Sequence, residues 1–564
     1  MMKELSIIAP IKTPQDIADF SAQTKCKTFY VYHKRFMENN FKYLEEFISI
    51  AKQNNCKIYV NFKHSIAETD IPEIKKFITY LKTTQIDGVL INSFAVLELL
   101  KTENLPFKVI IDSYFEIHNL TGIDFVNSFH KIDKLIITEE IYMKNIAKIK
   151  KYTKMKLAVD SDNIPWCAED IIKSKAIDTV VIKGRFQESK DILEGILLIQ
   201  KILEKPKMFK NQKLPFKHVR KSFYQTNHFS GEILSAEGSD FKFSRNIKKF
   251  EWKCKYSKLH DDFNYAGLKL PKLCLRLTSL NQLNSLKRYI EKLGFNPVKA
   301  IEFGEIASTS DLSKQSFNDI INKVKKFCAT HNIEFQISTP RILIERDFDR
   351  VYEYVKNLCL QVPHPTTIRI NNIGYLWAVI NDEELSRFHF EIGDGINLLN
   401  STSIKYLSSL CPIESVDFTN FPKLENLQST LKKIKNIIPN KKLTIAGNLR
   451  VPTLGLCPLN SDSAIVSRLS CKAPCHKGNF AINDPSLKKV LPFVVDGFCR
   501  MHMFDNELVH MYKDIEDFKK QGITEFVIDL SDLPAKFVPM LLTNTLNAIA
   551  GFEETTEYKT CWPD

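Results

Sequence analysis

The sequence predicts an α/β protein made of two TIM-type (β/α)8 barrels in tandem, with a small β module between them. The main observation is an alternation of short apolar runs with longer amphipathic stretches, which occurs eight times in each half of the chain. The second is length, because 564 residues are too many for one hydrophobic core. A composition that is 44% hydrophobic and 26% charged is ordinary for a globular protein.

The first barrel is predicted within residues 1–205. Its eight strands are expected at Ser6–Ala9, Phe29–Tyr32, Ile58–Phe62, Val89–Asn92, Val109–Asp112, Leu135–Thr138, Leu157–Asp160 and Val180–Lys183. A helical pattern follows each strand, as in Asn40–Gln53 after the second. The loop after the seventh strand is short, since a helix is expected soon after Pro165.

The second barrel is predicted within residues 267–564. Its strands are expected at Leu273–Leu277, Ile301–Gly304, Phe335–Thr339, Thr367–Asn371, His389–Asp394, Val416–Asn420, Leu443–Gly447 and Phe526–Leu530. Unlike its counterpart, the loop after the seventh strand is a long insertion that ends near Ile515. Loops that follow barrel strands form the catalytic face of this fold, so the insertion is expected there.

Residues 206–266 are predicted to form a basic small β domain. The net charge of the chain is +13, and Lys205–Lys258 contributes 14 basic and 4 acidic residues, or +10. Aromatic residues are interleaved with these charges: Phe209, Phe216, Phe223, Tyr224 and Phe229. This pattern is compatible with a solubilising surface. It is also compatible with a nucleic-acid face, where cations neutralise phosphates and rings stack on bases, so RNA is a candidate partner.

The sequence favours a cytoplasmic protein without a membrane partner. Its first residues contain no apolar core typical of a signal peptide, and no run of about 18 apolar residues predicts a membrane span. The 13 cysteines are an odd number, which argues against a complete disulfide framework.

Four cysteines of the insertion are candidate metal ligands: Cys457, Cys471, Cys475 and Cys499. Successive members are separated by 13, 3 and 23 residues. Zinc sites commonly use two tight pairs, and only Cys471 and Cys475 form one. Iron–sulfur clusters tolerate irregular spacing. An iron–sulfur cluster, zinc and unrelated thiols all remain open on this spacing, while most other cysteines are expected in the core.

Polar residues near the cysteines and after the fifth strand are candidate catalytic groups. Arg500 could bind a carboxylate or phosphate, or only neutralise a metal cluster. His502 could transfer a proton, or donate a hydrogen bond to a thiolate. Asp394 and Asn397 could face the same pocket, although Asp394 could instead cap the following helix. In the first barrel, Arg185 is either near a phosphate site or in a surface ion pair.

Several segments together resemble the U32 family of collagenase-like peptidases. They are Ile7-Ile8-Ala9-Pro10, Phe29-Tyr30-Val31-Tyr32, Lys34-Arg35-Phe36, Val181-Ile182-Lys183-Gly184-Arg185, Asn227-His228-Phe229-Ser230-Gly231, Ser338-Thr339-Pro340-Arg341, Asp394-Gly395-Ile396-Asn397, Cys457-Pro458, Cys471-Lys472-Ala473-Pro474-Cys475 and Asp496-Gly497-Phe498-Cys499-Arg500-Met501-His502. The chain departs from the family pattern at Lys183, where glutamate is usual, and in a first barrel that lacks the cysteine block.

The resemblance implies a 4Fe–4S cluster on the four cysteines and a role in oxygen-independent hydroxylation, or a related redox modification, of RNA. Relatives also act on a quinone precursor, and a small-molecule oxygen donor or a protein partner of the same family is possible. Candidate substrate contacts are Arg341, Asp496, Asn506, Arg185, Lys183 and Arg35.

Two alternatives are a U32 peptidase and a non-catalytic partner in iron–sulfur assembly. The sequence contains neither Gly-x-Ser-x-Gly nor His-Glu-x-x-His, and four thiolates on one cluster leave no ready site for hydrolytic water. These observations weigh against proteolysis.

Overall fold

The structure is a computed structural model. It describes residues 5–36, 41–62, 65–101, 105–129, 132–138, 143–161, 164–183, 188–206, 247–249, 252, 258–360, 367–421, 423–454, 457, 459, 475, 479–484 and 489–552.

The first barrel is a closed ring of eight parallel strands, as predicted. The strands are β1 Ser6–Pro10, β2 Thr28–Tyr32, β3 Lys57–Asn61, β4 Gly88–Ile91, β5 Lys108–Ile111, β6 Ile132–Ile137, β7 Lys156–Asp160 and β8 Thr179–Val181. The helices are α1 Pro14–Gln23, α2 Tyr43–Gln53, α3 Ile71–Leu81, α4 Phe94–Leu100, α5 Leu120–Asn127, α6 Met143–Tyr152, α7 Ile164–Ser174 and α8 Ser189–Glu204. Pairing of Ser6 with Thr179 closes the ring between β1 and β8.

The second barrel is also closed, and its eight parallel strands confirm the predicted tandem fold. They are β10 Lys272–Arg276, β11 Ala300–Phe303, β12 Glu334–Ser338, β13 Thr367–Ile370, β14 His389–Ile392, β15 Ile413–Asp417, β16 Asn440–Gly447 and β22 Glu525–Asp529. Its helices are α9 Leu280–Leu293, α10 Thr309–Leu312, α11 Phe317–Thr330, α12 Glu345–Leu360, α13 Ile373–Ile380, α14 Ser401–Ser408, α15 Leu424–Lys433, α16 Ile515–Gln521 and α17 Phe537–Ile549.

Local sequence signals explain where the helices begin and end. The Ser279 side chain accepts a hydrogen bond from the amide of Gln282 at the start of α9, and the Gln282 side-chain carbonyl accepts one from the amide of Ser279. Gly294 ends that helix at φ 72°, a left-handed conformation that glycine adopts without steric cost. The same capping arrangement begins α1 at Thr13. These caps set the points at which each helix turns back toward the next strand.

The insertion between β16 and β22 forms an antiparallel sheet with a strand from much earlier in the chain. Its strands are β17 Arg450–Leu454, β18 Phe480–Asp484, β19 Lys489–Val495 and β20 Met501–Phe504, while β21 Val509–His510 pairs with β16. The fifth strand is β9, Ile247–Lys249, which pairs with β18 through Ile247 and Ile482. The sheet order is β17-β20-β19-β18-β9.

The strand β9 belongs to the segment 206–266 that is predicted to be a separate β domain. Most of that segment, residues 207–246, lies outside the described residues. The domain boundaries therefore stay a prediction.

The interiors of the two barrels differ in chemistry. In the first barrel, each strand contributes one member of a buried, mostly apolar cluster: Ile8, Tyr30, Tyr59, Leu90, Ile110, Ile136, Ala158 and Val181. In the second barrel, buried polar or charged residues project from every strand: Arg276, Glu302, Gln336, Arg369, Glu391, Asp417, Lys442, Glu525 and Asp529. Barrel interiors are usually filled by branched apolar side chains, so the second interior is unusual for this fold.

Arg369 lies at the centre of these charges, and its side chain is fully buried. It pairs with Glu391 at 2.8 Å, with Asp417 at 2.6 Å and with Glu302 at 3.3 Å. Lys442 connects the other side of the interior, at 2.7 Å from Glu391. We call the following ion-paired residues the buried charge network: Arg276, Glu302, Glu305, Arg341, Arg369, Glu391, Asp394, Asp417, Lys442, Arg450, Glu525 and Asp529.

The helices of the described residues include none that is long and apolar enough to cross a membrane.

Removing one central cation should destabilise the second barrel strongly, because it leaves buried carboxylates without their partner. We expect Arg369→Met to lower the free energy of unfolding by about 3–5 kcal/mol, measured by urea denaturation. The control is Arg288→Met on the exposed face of α9, which should change that free energy by less than about 0.5 kcal/mol. Equal effects of the two variants would contradict a stabilising role for the network.

Lowering the pH should reduce the stability of the second barrel. Burial alone would raise the pKa of Glu302, but the charges of Arg276, Arg369 and Lys442 outweigh it and lower that pKa from 4.5 to about 2. The unfolded chain therefore takes up the proton first. The stabilisation from Glu302 is complete above about pH 4.5 and is lost as the pH falls toward 2.

We expect Glu302→Gln to flatten the pH dependence of the unfolding free energy in that range, by up to about 1.4 kcal/mol per pH unit. Urea titrations at successive pH values measure it. The exposed Glu353, changed to Gln, serves as the control and should leave the slope as in the wild type. Parallel curves for Glu302→Gln and the wild type would rule out this account.

Candidate functional site

Two of the candidate cysteines emerge from the same end of neighbouring strands. Leu454, the last residue of β17, lies opposite Met501, the first residue of β20. Cys457 follows Leu454 by three residues, and Cys499 precedes Met501 by two. Three residues span at most about 10 Å. The register therefore brings both cysteines to one end of the insertion sheet.

A third cysteine enters the sheet from that same end. Strand β18 begins at Phe480, which lies opposite Phe493 near the end of β19. Cys475 precedes Phe480 by five residues. Cys471 lies outside the described residues. Cys457, Cys475 and Cys499 therefore approach the same end of the insertion sheet, although each belongs to a different segment of the chain.

Cys499 lies in a tight hairpin between β19 and β20. Its φ is 62°, a left-handed conformation that favours glycine. The Asp496 carboxylate shapes this turn, because its Oδ1 accepts hydrogen bonds from the amides of Phe498 (2.8 Å) and Arg500 (2.9 Å). A cysteine at this position therefore carries a backbone cost that packing alone does not explain.

The buried pair of Asp496 and His502 stabilises this hairpin. Asp496 Oδ2 lies 3.0 Å from His502 Nε2, and His502 Nδ1 lies 3.3 Å from the Thr453 hydroxyl. Burial alone would raise the pKa of Asp496, but the hydrogen bond with His502 lowers it. Burial lowers the pKa of His502, and the hydrogen bond with Asp496 opposes that shift. Both side chains are only 1% exposed, so this pair holds the turn from inside.

Arg500 is also buried, and its guanidinium carbon lies 4.8 Å from the centroid of the Phe498 ring. Its neighbour Cys499 is partly exposed. Cys499 is therefore the partly exposed residue of this turn, while Asp496, Arg500 and His502 are buried.

The insertion thiols differ from the other described cysteines in burial. Six cysteines are buried: Cys26, Cys56, Cys274, Cys328, Cys359 and Cys411. Burial raises the pKa of each, to about 12 for Cys328 and about 11 for Cys411, so these thiols stay protonated. Metals bind the thiolate, which buried thiols do not readily form. Cys457, Cys475 and Cys499 are instead partly exposed.

The donor chemistry of the four insertion cysteines fits a metal–thiolate centre, and soft thiolates suit iron–sulfur clusters or zinc. Among the described residues, which exclude Cys471, no three His, Cys, Asp or Glu side chains are grouped so that they could hold a metal ion. The fit therefore rests on the exposure of the thiols and on the strand register.

At the mouth of the second barrel, Arg341 and Asp394 are in direct contact, and Asp394 also pairs with Arg369. Burial alone would raise the pKa of Asp394, but these two cations hold it well below the usual value. The interpretation of Asp394 as a helix cap is wrong, because Asn400 caps α14 through a 2.8 Å bond from the amide of Ser403.

Two further candidates of this barrel, Asn397 and Asn506, lie in loops. Asn397 is exposed in the loop before α14, and Asn506 is half-buried between β20 and β21.

A small cleft opens beside this pair, at the C-terminal ends of β10 and β11. It is small and partly open to solvent, and its lining includes Thr278, Glu305, Ser338, Arg450 and Ser531. Arg450 Nη1 donates to Glu305. Arg450 Nε and Ser531 Oγ are buried without a hydrogen-bond partner in the described part of the structure. Such an unpaired buried group costs about 1–3 kcal/mol.

In the first barrel, Lys183 is held by acidic and hydroxyl groups. Its ammonium lies 2.7 Å from Asp160 Oδ2, donates to Ser113 Oγ at 2.8 Å and lies 4.4 Å from the centroid of the Tyr114 ring. Burial alone would lower the pKa of Lys183, but Asp160 and its neighbours raise it well above the usual value. Arg35 is exposed in a short turn after β2. Arg185 lies outside the described residues.

The sequence interpretation missed Glu305, Arg450 and the rest of the buried charge network except Arg341 and Asp394. A signal was present, since single charged residues interrupt apolar strands, as Arg369 does between Ile368 and Ile370. A lone charge inside an apolar run predicts a buried ion pair, because an unpaired charge there would be costly.

The backbone cost at Cys499 can be measured by comparing two variants that both remove the thiol. We expect Cys499→Gly to be more stable than Cys499→Ala by about 1 kcal/mol, because only glycine adopts this φ without strain. Urea denaturation gives the difference.

At Cys411, which is not among the residues with positive φ, the order should reverse, with the alanine variant more stable. Equal stability of the two Cys499 variants would show that the turn carries no strain.

Comparisons with known proteins bear on the first barrel. Residues 26–160 match the family described as "Peptidase family U32". No curated protein matches the chain.

Solved structures match at low similarity. A truncated 3-deoxy-D-arabino-heptulosonate 7-phosphate synthase from Thermotoga maritima is 13% identical, with 36% of this chain and 87% of that chain covered and a TM-score of 0.26. The YdjI aldolase from Escherichia coli K12 is 10% identical, with 36% and 91% covered and a TM-score of 0.25. The spore cortex-lytic enzyme SleL from Bacillus megaterium QM B1551 is 9% identical, with 52% and 76% covered and a TM-score of 0.27. These scores are too low to support any argument about this chain.

The family match lies within the closed first barrel and spans β2 to β7 entirely, so this part of the chain is similar to peptidase family U32.

Proposed function

We propose that the second barrel binds a 4Fe–4S cluster through Cys457, Cys471, Cys475 and Cys499. We further propose that the protein takes part in oxygen-independent hydroxylation, or a related redox modification, of RNA. The observation that carries the first proposal is the approach of three partly exposed thiols to one end of the insertion sheet. Zinc on the same four thiols is the alternative metal.

The strained turn at Cys499 supports a ligand role for this residue. A turn of this shape would be most stable with glycine, yet the chain places a thiol there and fixes it with Asp496. When bound, a cluster of this type would supply one-electron transfer. Asp496 and His502 would then act as positioning residues, since they hold the hairpin and point inward.

The substrate would approach the mouth of the second barrel, where strand ends present polar groups. Arg341, Asp394 and Glu305 are joined there by ion pairs, and they would orient the substrate rather than react with it. Arg500 would compensate the negative charge of four thiolates, because it is buried directly beside Cys499. A small-molecule oxygen donor is part of this proposal.

The choice of RNA as substrate is supported by the basic segment Lys205–Lys258, with its +10 charge and interleaved aromatic residues. Most of that segment lies outside the described residues. A quinone precursor, a peptide or a role in cluster assembly would not require such a basic segment.

One contact in the first barrel resembles the catalytic pair of a peptidase. Lys183 Nζ lies 2.8 Å from Ser113 Oγ. A Ser–Lys pair hydrolyses peptides only if the lysine is neutral and accepts the serine proton. Here the ammonium lies 2.7 Å from Asp160, and the pKa of Lys183 is raised well above its usual value. Lys183 therefore stays protonated and forms a structural ion pair with Asp160. It does not activate Ser113 as a nucleophile.

Protein purified without oxygen should contain about four irons per chain and absorb visible light, as 4Fe–4S proteins do. Changing Cys471 and Cys475 together to Ala should abolish both iron and colour, because half of the ligands are lost. Cys274→Ala and Cys411→Ala, which remove buried thiols, serve as controls and should retain both. A colourless protein loaded with zinc would overturn the cluster proposal.

The RNA part needs a separate readout. Mass spectrometry of ribosomal and transfer RNA should reveal a hydroxylated nucleoside that is absent from a deletion strain, and the cysteine double variant should not restore it. An unchanged set of modifications would exclude RNA as the substrate while leaving the cluster proposal intact.

A further inference from the structure

The end of the first barrel at which its strands begin carries lysine side chains that the proposed function does not use. Each strand contributes one residue to the mostly apolar cluster of the barrel interior. Because side chains alternate between the two faces of a strand, the residue two positions before each cluster member also faces the interior. Those eight residues, which we call the lysine ring, are Ser6, Thr28, Lys57, Gly88, Lys108, Lys134, Lys156 and Thr179. Half of them are lysines, and none is acidic.

Three lysines of the ring lie on adjacent strands. Lys108 belongs to β5, Lys134 to β6 and Lys156 to β7, and Lys134 is paired with Lys156 in the register of the sheet. Adjacent strands are about 4.8 Å apart, so these three long side chains share one side of the barrel end. Lys108 and Lys156 are exposed, whereas Lys134 between them is only 8% exposed. The outer two ammonium groups are therefore accessible to a ligand.

The buried ammonium of Lys134 has no carboxylate partner. Within the described residues it donates a hydrogen bond to Thr179 Oγ1 and forms no ion pair. Burial lowers the pKa of Lys134 to about 8, and the charges of Lys156 and Lys108 lower it as well, although nearby aspartates oppose the shift. Buried lysines are normally paired with an acid, so a positive charge at this position is poorly compensated by the protein itself.

The aspartates at this end of the barrel supply little counter-charge to the three lysines. Asp133 Oδ1 lies 3.8 Å from Lys108 Nζ, which is a long ion pair on a half-exposed side chain. Asp178 lies 3.5 Å from Lys150, a residue of α6 outside the ring. Asp87 accepts a hydrogen bond from a backbone amide of β3. In the described part of the chain, three neighbouring lysines thus share one long ion pair.

The second barrel neutralises the corresponding lysine within the protein. Lys272 precedes the interior residue Cys274 by two positions, as the ring lysines precede their cluster members. Its ammonium lies 2.7 Å from Glu334 and 2.7 Å from Glu525. The first barrel has no acid at any of its eight ring positions. Its lysines therefore offer to an external anion the positive charge that the second barrel spends on internal ion pairs.

We propose that the lysine ring binds a phosphate group, which Lys108 and Lys156 contact directly while Lys134 adds its charge from between them. Ammonium groups bind phosphate as point charges, and several of them suit its several oxygens. Catalytic residues of this fold lie at the opposite end of the barrel, so this site holds its ligand without converting it. The inference goes beyond the proposed function and does not depend on a metal.

Pyrophosphate is a suitable probe, because it presents phosphate oxygens without a base or a sugar. We expect isothermal titration calorimetry on the full-length protein, at physiological ionic strength, to show pyrophosphate binding. The double variant Lys108→Gln/Lys156→Gln should weaken this binding by about tenfold or more, because each lost ammonium contact contributes several-fold.

The matched control is Lys75→Gln/Lys190→Gln, which removes the same charge from exposed positions on α3 and α8 of the same barrel. It should leave pyrophosphate binding unchanged. All four substituted lysines are exposed, so both double variants should fold, and circular dichroism verifies this.

The variant Lys134→Met separates a binding role from a structural one. Pyrophosphate should raise the melting temperature of the wild type, because a ligand that binds only the folded state stabilises it. Lys134→Met should be at least as stable as the wild type without pyrophosphate, since no ion pair is lost within the described residues, and should respond to pyrophosphate several-fold more weakly. A variant that is destabilised and keeps the full response would make Lys134 a purely structural residue.

A short single-stranded RNA without a terminal phosphate distinguishes two sources of the phosphate group. If Lys108→Gln/Lys156→Gln weakens RNA binding as much as pyrophosphate binding, the ring takes a phosphate of a nucleic-acid backbone. If RNA binding is unchanged, the ring takes a phosphorylated small molecule.

Three results would overturn the proposal. The wild type would fail to bind pyrophosphate, or its binding would survive Lys108→Gln/Lys156→Gln, which would place the ligand elsewhere. Equal weakening by Lys75→Gln/Lys190→Gln would show that only the net charge matters. None of these measurements involves iron, so the cluster proposal and this one fail separately.

Discussion

The second barrel depends on the ion pairs that fill its interior. Arg369 has no exposed surface, and its charge is stable there only because Glu302, Glu391 and Asp417 surround it. Taking such charges out of water costs several kcal/mol per ion, which only close and multiple contacts offset. The strands that carry these residues must therefore hold a fixed register. An apolar interior, as in the first barrel, tolerates small shifts that a charged one does not.

The same network reaches the mouth of the barrel and orders the site there. Arg341 and Arg450 both pair with Glu305, and Arg450 is the first residue of the strand that leads to Cys457. The interior charges are thus continuous with the sheet that carries the candidate ligands. A preorganised site needs supporting residues that are themselves fixed by packing and hydrogen bonds. In this protein the supporting residues are fixed by ion pairs, and these ion pairs extend from the interior of the second barrel to its mouth.

Periodicity was sufficient to predict both barrels, since each strand is a short apolar run followed by an amphipathic helix. The long insertion after strand β16 and its cysteines were equally visible in the sequence. The roles of single polar residues were harder to predict, because they depend on partners far along the chain. Asp394 looks like a helix cap beside its neighbours, yet its partners are Arg341 and Arg369. Arg450 carries no local motif, and its importance follows only from its contact with Glu305.

The pairing of β9 with β18 also constrains the order in which the chain can fold. Ile247 precedes the second barrel, whereas its partner Ile482 lies after seven of that barrel's eight strands. The outer strand of the cysteine-bearing sheet must therefore wait until nearly the whole barrel has been synthesised. Contacts so distant in sequence form slowly, because a long loop must close before they gain any stability. The insertion sheet can therefore be completed only after seven strands of the second barrel have been synthesised, although its other four strands follow one another closely in the chain.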